Sequence, residues 1–421
     1  MESFPMVKKL FLIILPLLLV FGCVGKRSLP PSMEAKPVDL SKFLATLREK
    51  SDKSQVICLN MIVKNEAEVI RRCLDSVKDV IDYWVIMDTG SKDGTQEIIR
   101  AHLKDIPGEL HERPWKNWGE TRTEAFELAK GRGDYILFMD ADDILEFEHI
   151  TKMPVLTEDV YFMWRGTKAF SYIKQQLVKG NLPWKWVGVT HEYLDCAHPY
   201  TSGILEGIRY VSLDDGATRH DPKKFWKNVE LLQESLKKDP NNARDVFYLA
   251  ESYRDAGEPA KALEWYQKRI AMAGWAEEVF WAKLQTGHIL ANLKVAASIV
   301  IEAYKDALAY RPTRVEPYYF LAELFNNQHD YKLAYEYIQA WERVEKYQGK
   351  DYLFNSDWIK EFGMLFQLSI CAYYIGHYEE AVKACDQLTT NKHLPEAWRQ
   401  LSKFNRQFSV EKLKESTQKT S

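Results

Sequence analysis

The sequence predicts an α/β domain built on a mostly parallel sheet with helices on both faces, followed by an all-α solenoid, and three observations carry that expectation. Apolar, β-rich runs alternate with helical spacing through the first half of the 421-residue chain, and an acidic cluster closes one of those runs. From Phe225 onward only helical patterns occur, and they repeat.

Val56 to Val63 is an apolar run ending in Lys64-Asn65-Glu66, and Glu68 to Val80 then has helical spacing through Val69, Ile70, Cys73, Leu74 and Val77. Tyr83 to Met87 starts a second unit, whose polar, glycine-bearing turn Asp88 to Thr95 leads into a short helix over Gln96 to Leu103. A sheet made this way binds ligands beyond the carboxyl ends of its strands, where Asp88, Asp140 and Asp142 all fall. The buried-strand run Tyr135 to Phe138 leads directly into Met139-Asp140-Ala141-Asp142-Asp143. Carboxylates that close repel one another unless a cation shares them, and Mg2+ or Mn2+ commonly binds through one or two carboxylates plus the phosphates of a substrate. Asp-rich strand ends also serve as caps and turns, so the cluster gains meaning from the units around it.

Taken in order, L-N-M-I-V-K-N-E, M-D-T-G-S-K-D-G-T, W-G-E-T-R-T-E-A-F-E-L-A and F-M-D-A-D-D resemble the nucleotide-sugar-binding half of family 2 glycosyltransferases with the GT-A fold, from about Val56 to Asp143 and more weakly to His220. The resemblance implies that Asp88 contacts the base of a uridine-type nucleotide and that Arg122 approaches the nucleotide or its phosphates. Asp140 and Asp142 would form the D-x-D, with Asp142 nearest the metal, and Asn65 and Glu66 are further candidates on the nucleotide side. Many members carry paired acids where this chain has Asp88-Thr89, which leaves the second base or ribose contact, and uridine itself, open. A late histidine often joins the metal in this family; His220, after Leu213-Asp214-Asp215-Gly216-Ala217, is its counterpart here, against the plainer role of a capping or surface residue.

Beyond the acids, Tyr161, Phe162, Trp164, Phe170, Tyr172, Trp184 and Trp186 interleave with Lys and Gly, which suits core packing first and sugar stacking second. In Trp186 to Leu194 the pair His191-Glu192 follows a strand. An inverting transfer needs a carboxylate to take the acceptor's proton, and Glu192 is the candidate base, with Asp195 in reserve. A salt-bridged surface acid is the bland alternative for Glu192.

In the second half Leu249-Ala250, Tyr253, Gly257, Ala262 and Tyr266 recur in type as Leu321-Ala322, Phe325, His329, Ala334 and Ile338, then as Leu368-Ser369, Ala372, Gly376, Ala381 and Cys385. Ala250 and Ala322 stand about two tetratricopeptide periods of 34 residues apart, and an intermediate unit through Ala282, Leu284, Ala303, Ala307 and Pro312 fits between them. Helix pairs of this kind stack into an array that offers a surface to a peptide or protein partner or braces its neighbour.

The expected organisation is therefore an N-terminal signal or anchor over residues 1–27, a linker over 28–53, a GT-A glycosyltransferase domain over 54–222, tetratricopeptide-like repeats over 223–405 and a polar tail over 406–421. Lys8-Lys9 before apolar Leu10 to Val20 reads as a single-pass membrane anchor, and Cys23 after Gly22 offers a lipoprotein site as the alternative. A net charge of −3 argues against a nucleic-acid surface. The six cysteines have no zinc spacing and no disulfide framework. The expected reaction is metal-dependent transfer from a nucleotide-sugar to a glycan, lipid-linked sugar or protein side chain. Two other classes stay open: a tetratricopeptide scaffold with a degenerate transferase domain, and a nucleotidyltransferase, whose glycine-rich phosphate loop is missing from Lys64-Asn65-Glu66.

Overall fold

The computed structural model describes residues 55–167, 169–344 and 351–420; the N-terminal apolar segment, Cys23 and the linker lie outside them. β1 (Ile57–Val63) and β2 (Tyr83–Asp88) are near-continuous apolar runs, broken only by the buried Asn60 and the terminal Asp88, because both faces of their sheet are covered. On one face Leu59, Met61 and Ile86 meet Ile70 and Leu74 of α1 (Ile70–Val77) and Ile99 of α2 (Thr95–His102). β3 (Gly108–Glu112), α3 (Trp118–Ala129) and β4 (Tyr135–Phe138) complete a parallel block with β1 between β2 and β4. On the second face Cys58, Val85 and Ile136 pack on Phe126 and Ala129 of α3.

The chain continues through β5 (Ile144–Phe147), β6 (Val160–Gly166), β7 (Ser171–Lys179), the hairpin β8 (Trp184–Val187) and β9 (Tyr193–Cys196), and β10 (Ser202–Val211). The eight-stranded sheet has the order β3-β2-β1-β4-β7-β6-β10-β5, mostly parallel, with β7 antiparallel to both β4 and β6. Trp184 and Trp186 of β8 fill the core on the α3 face, so these two rings pack rather than wait for a sugar.

After a 3-10 turn at Ala217–His220 the chain is helical. α4 (Lys224–Lys238) precedes four hairpins: α5 (Ala243–Asp255) with α6 (Pro259–Ala271), α7 (Ala276–Asn292) with α8 (Ala297–Tyr310), α9 (Glu316–Asn327) with α10 (Tyr331–Val344), and α11 (Met364–Tyr374) with α12 (Tyr378–Thr390). α13 (Glu396–Thr420) carries the helix through residues 406–420, where a polar tail was expected. Gly257, His329 and Gly376 all end the first helix of a pair with positive φ, and Lys294 does the same in the second pair at φ 56°. Alignment on Lys294 puts Gly287, not Ala282, at the small-residue position of that unit. A Cβ on Gly287 would lie 2.5 Å from the Tyr304 ring, so close packing of α7 on α8 requires glycine there. No helix among the described residues is long and apolar enough to cross a membrane.

The first helices of the pairs are buried on most sides. α5 buries every residue from Asp245 to Tyr253, whereas α6 buries only Ala262, Tyr266 and Arg269. Part of that cover is residues 351–358, which leave the array between α10 and α11 and pair with β7. Ser171 N donates to Asn355 O at 3.0 Å, Asn355 N to Ser171 O at 2.7 Å, and Ile173 N to Tyr352 O at 2.9 Å. Phe354 enters a group of rings from both halves, 4.9 Å from Trp281 and 5.6 Å from Phe170 and Tyr172. Glu277 accepts from Tyr352 N at 2.8 Å, and Arg314 donates to Phe354 O at 2.8 Å, so the segment's backbone is satisfied from the array side as well.

Candidate active site at the strand ends

Arg122 reaches the site because α3 starts where it does. Asn117 caps the helix, its Oδ1 accepting from Glu120 N at 2.9 Å and so satisfying one free N–H at the helix start, while its Nδ2 donates to the Glu120 side chain at 2.7 Å. The next turn carries Arg122, 7% exposed, into the acidic cluster. Its Nη2 pairs with Asp140 Oδ1, and its Nε lies 2.9 Å from Glu192 Oε1, an ion pair set off the N–H axis, so that Nε makes no hydrogen bond. The guanidinium also lies over the Trp186 ring at 5.4 Å.

Asp140 and Asp143 are both held by protein cations. Arg165 of β6 donates from Nη2 to Asp140 Oδ2 at 2.9 Å and to Asp143 Oδ2 at 2.7 Å. Burial alone would raise the Asp140 carboxyl, but Arg122, Arg165 and Lys174 outweigh it and hold that group well below the carboxylate range. Asp143 goes the other way, raised by burial and by the neighbouring Asp140 and Asp142 despite Arg165.

Asp142 differs from both. Its Oδ2 accepts from Gly216 N at 3.1 Å, and among the described residues its Oδ1 has no hydrogen bond or ion pair to another residue. A Cβ at residue 216 would stand 2.9 Å from that carboxylate, so Gly216 makes the seat in which it rests. Arg72 fixes the seat by donating to Asp142 O at 2.9 Å and to Asp215 Oδ2 at 2.7 Å. Among the described residues no three His, Cys, Asp or Glu side chains converge as a metal cage. Among the three acids a hard cation would find a single free carboxylate oxygen, on Asp142, and phosphate oxygens of a substrate would have to complete its shell.

Asn65 and Glu66 shape the neighbouring cleft of about 370 Å3, lined also by Asp93, Asp215 and Ala217. Asn65, at φ 57°, receives Lys92 N on its Oδ1 at 2.8 Å, tying the turn after β1 to the loop after β2. Glu66 accepts from Ala217 N at 3.1 Å, and burial, then Asp142, push its carboxyl up to about 7. Asp88 ends β2 fully buried; its Oδ1 accepts from Gly90 N and Ser91 N at 2.7 and 2.8 Å, while its Oδ2 is enclosed without a donor.

Glu192 is 5% exposed, and Lys174 of β7 stands 3.2 Å from the same Oε1 that faces Arg122. Burial raises this carboxyl, but Lys174 and Arg122 prevail and bring it to about 2. Asp195 lies elsewhere: β9 alternates, with Leu194 and Cys196 buried inward and Asp195 on the other face opposite Lys185. His220 closes the 3-10 turn with its backbone, and its side chain lies outside the description.

Four contributors escaped the sequence: Arg72, Arg165, Lys174 and Tyr210, whose Oη accepts from Asp140 N at 2.8 Å. The available signal was Arg165, the one charged residue of the aromatic and apolar run Val160 to Gly166; Lys174 gave none, because its strand also carries Ser171, Gln175, Gln176 and Lys179.

Residues 58–154 match the family model for glycosyl transferase family 2. The chain is 25% identical over 235 residues to the SPbeta prophage-derived glycosyltransferase SunS of Bacillus subtilis, covering 53% of this chain and 54% of that one. A TPR repeat-containing protein of Synechococcus elongatus is 32% identical over 128 residues, 30% of this chain and 29% of its own. The chain thus spans about half the length of SunS and less of the cyanobacterial protein. Among solved structures, YrrB, a TPR protein, covers 44% of this chain at 17% identity and a TM-score of 0.33. Residues 58–154 are accordingly a family 2 glycosyl transferase domain, carried on the same chain as a tetratricopeptide-like helical array.

Proposed function

We propose that the whole chain transfers a sugar from a nucleotide-sugar to a glycan, lipid-linked sugar or protein side chain, with inversion, using a divalent cation at Asp142. The observation that supports this best is the division of labour among the three acids: Asp140 and Asp143 are neutralised by arginines, and Asp142 alone among them keeps an oxygen without a partner on another described residue. Mg2+ or Mn2+ bound there would neutralise charge on the leaving nucleoside diphosphate. His220 is a further proposed ligand.

Arg122 and Lys174 are the cations a diphosphate would meet, and both now face Glu192. Glu192 is ionised at neutral pH, as a base must be, and a diphosphate that draws either cation away leaves it the stronger base for the acceptor's proton. Asp88 faces the nucleotide from the Gly90-Ser91 turn that it folds, with its unpaired Oδ2 the acceptor for a base N–H. The N-terminal apolar segment would tether the enzyme to a membrane beside its donor pool. A peptide or protein partner would dock on array surfaces outside the contacts with residues 351–358.

A thermal-shift panel of nucleotide-sugars, with Mn2+ and then with chelator, tests the function. One donor should raise the Tm in proportion to RT ln(1 + [L]/Kd), and chelator should abolish the rise. A panel without any metal-dependent shift would overturn the assignment.

A further inference from the structure

Glu192 ends a loop that the transferase half supports from one side only. On that side Trp118 N donates to Val189 O at 3.3 Å, and Gly119 packs so tightly that a Cβ would lie 2.2 Å from Gly188 O. The other side rests on the helical array. Arg244 stands in the first turn of α5, which Asn242 caps by accepting from Asp245 N at 3.1 Å. From there it donates to His191 O twice, from Nη2 at 2.8 Å and from Nε at 3.2 Å. Its guanidinium lies over Tyr248 at 4.8 Å and Tyr193 at 5.2 Å, with Glu278 of α7 3.5 Å from its Nη1. The His191 ring stacks on Tyr248 at 4.1 Å with planes 4° apart.

These contacts converge on a backbone that needs them. His191 has a φ of 50°, in the left-handed region that a residue with a Cβ adopts at a steric cost, which its contacts must offset. The next residue is Glu192, whose Oε1 must land within reach of both Arg122 and Lys174. Lys174 belongs to β7, the strand that residues 352 and 355 of the array segment pair at Ile173 and Ser171. Both the loop that carries the carboxylate and the strand that carries its lysine are thus fixed from the array.

We propose that Arg244 is a positioning residue for Glu192: by holding the His191 carbonyl it fixes the left-handed turn that aims the Glu192 carboxylate, and through it the helical array sets the acceptor side of the site. This rests on the role of Glu192 given above. An arginine that merely glued two halves together would, when removed, weaken donor binding, stability and turnover together. A positioning arginine changes turnover while donor affinity stays, and does so only as long as Glu192 is present.

The test uses the full chain with Arg244→Ala, Arg244→Lys, Glu192→Gln and the Arg244→Ala/Glu192→Gln double variant. Release of nucleoside diphosphate from a panel of UDP- and GDP-linked hexoses with Mn2+ gives kcat and donor KM, and hydrogen exchange reads the amides of residues 188–193. Arg244→Ala should lower kcat about 10- to 100-fold, as expected for a misplacement on the order of 1 Å, and should speed exchange in that loop. Donor KM should stay within about twofold, and Arg244→Lys should recover part of the rate because one ammonium still donates to the carbonyl. In the Glu192→Gln background the added Arg244→Ala should change kcat by less than about twofold, because the group it positions has already lost its function. If Glu192→Gln is slow but the two losses multiply, or if donor KM rises with the fall in rate, this proposal alone has failed. If Glu192→Gln turns over like the wild type, the base assignment has failed and the positioning role falls with it.

Discussion

Arg122 Nε lies 2.9 Å from Glu192 Oε1 while Nη2 of the same guanidinium holds Asp140, so one side chain couples the proposed acceptor base to the D-x-D. Removing one partner of a buried ion pair leaves the others uncompensated. Arg122→Ala should therefore destabilise the fold by about 3–5 kcal/mol, measured by denaturant unfolding. A loss below about 1 kcal/mol, the range of exposed pairs, would show that the network is solvated and not buried.

Asp142→Asn keeps the size of the side chain and its bond from Gly216 N while removing the charge a cation needs. It should leave the Tm nearly unchanged and abolish both turnover and Mn2+-dependent nucleotide binding. Near-normal activity would remove Asp142 from the metal site.

Glu192→Gln should slow transfer by about 10²–10⁴-fold with little change in donor affinity, since a base acts on the acceptor proton in the transition state. Asp195→Asn serves as the comparison. Because Asp195 faces away from the inward side of β9, its loss should leave the rate within about twofold, well short of the loss from a missing general base. The opposite pattern would transfer the role to Asp195.

Asp88→Asn replaces the unpaired Oδ2 with an N–H, or turns that N–H toward the Gly90 and Ser91 amides. Nucleotide affinity should fall by about 10- to 100-fold, the loss expected for a hydrogen bond to a charged group. Unchanged affinity in a titration with UDP and Mn2+ would reduce Asp88 to a residue that folds the turn.

Glu66 gives a pH dependence of known sign. Its folded value, about 7, lies above its ordinary 4.5, so the folded chain holds an extra proton between these limits and loses stability as pH rises through that window. Glu66→Gln removes this loss. In metal-free buffer the Tm advantage of the variant over the wild type should grow from about pH 4.5 to 7 and level off above, in step with that linkage. An advantage that shrinks with pH would reverse the assigned shift.

Where side chains face along one element, the sequence was readable. The apolar runs of β1, β2 and β4, the turns that follow them and the positions of Asp88, Asp140 and Asp142 all come from local periodicity. Gly257, His329 and Gly376 marked the helix pairs because each ends a helix with positive φ, and Ala282 misled because it lies in α7 well before the residue that packs on Tyr304. What stayed hidden was non-local. Arg165 and Lys174 meet the acids only because β7 and β6 follow β4 in the sheet, an order that no spacing along the chain encodes. Arg72 meets Asp215 only through a loop that returns after β10.

Residues 351–358 have a practical consequence for anyone who rearranges this protein. They belong to the array by position and to the sheet by hydrogen bonding, so a cut after residue 222 would leave Ser171 and Ile173 with open backbone groups along the first half of β7 and strip Phe354 from its ring partners. The boundary visible as a change from strands to helices is therefore not a place where the chain can be divided. A chimera that grafts this transferase onto a different repeat array would have to carry the 351–358 strap along with it, threaded between the same two helices.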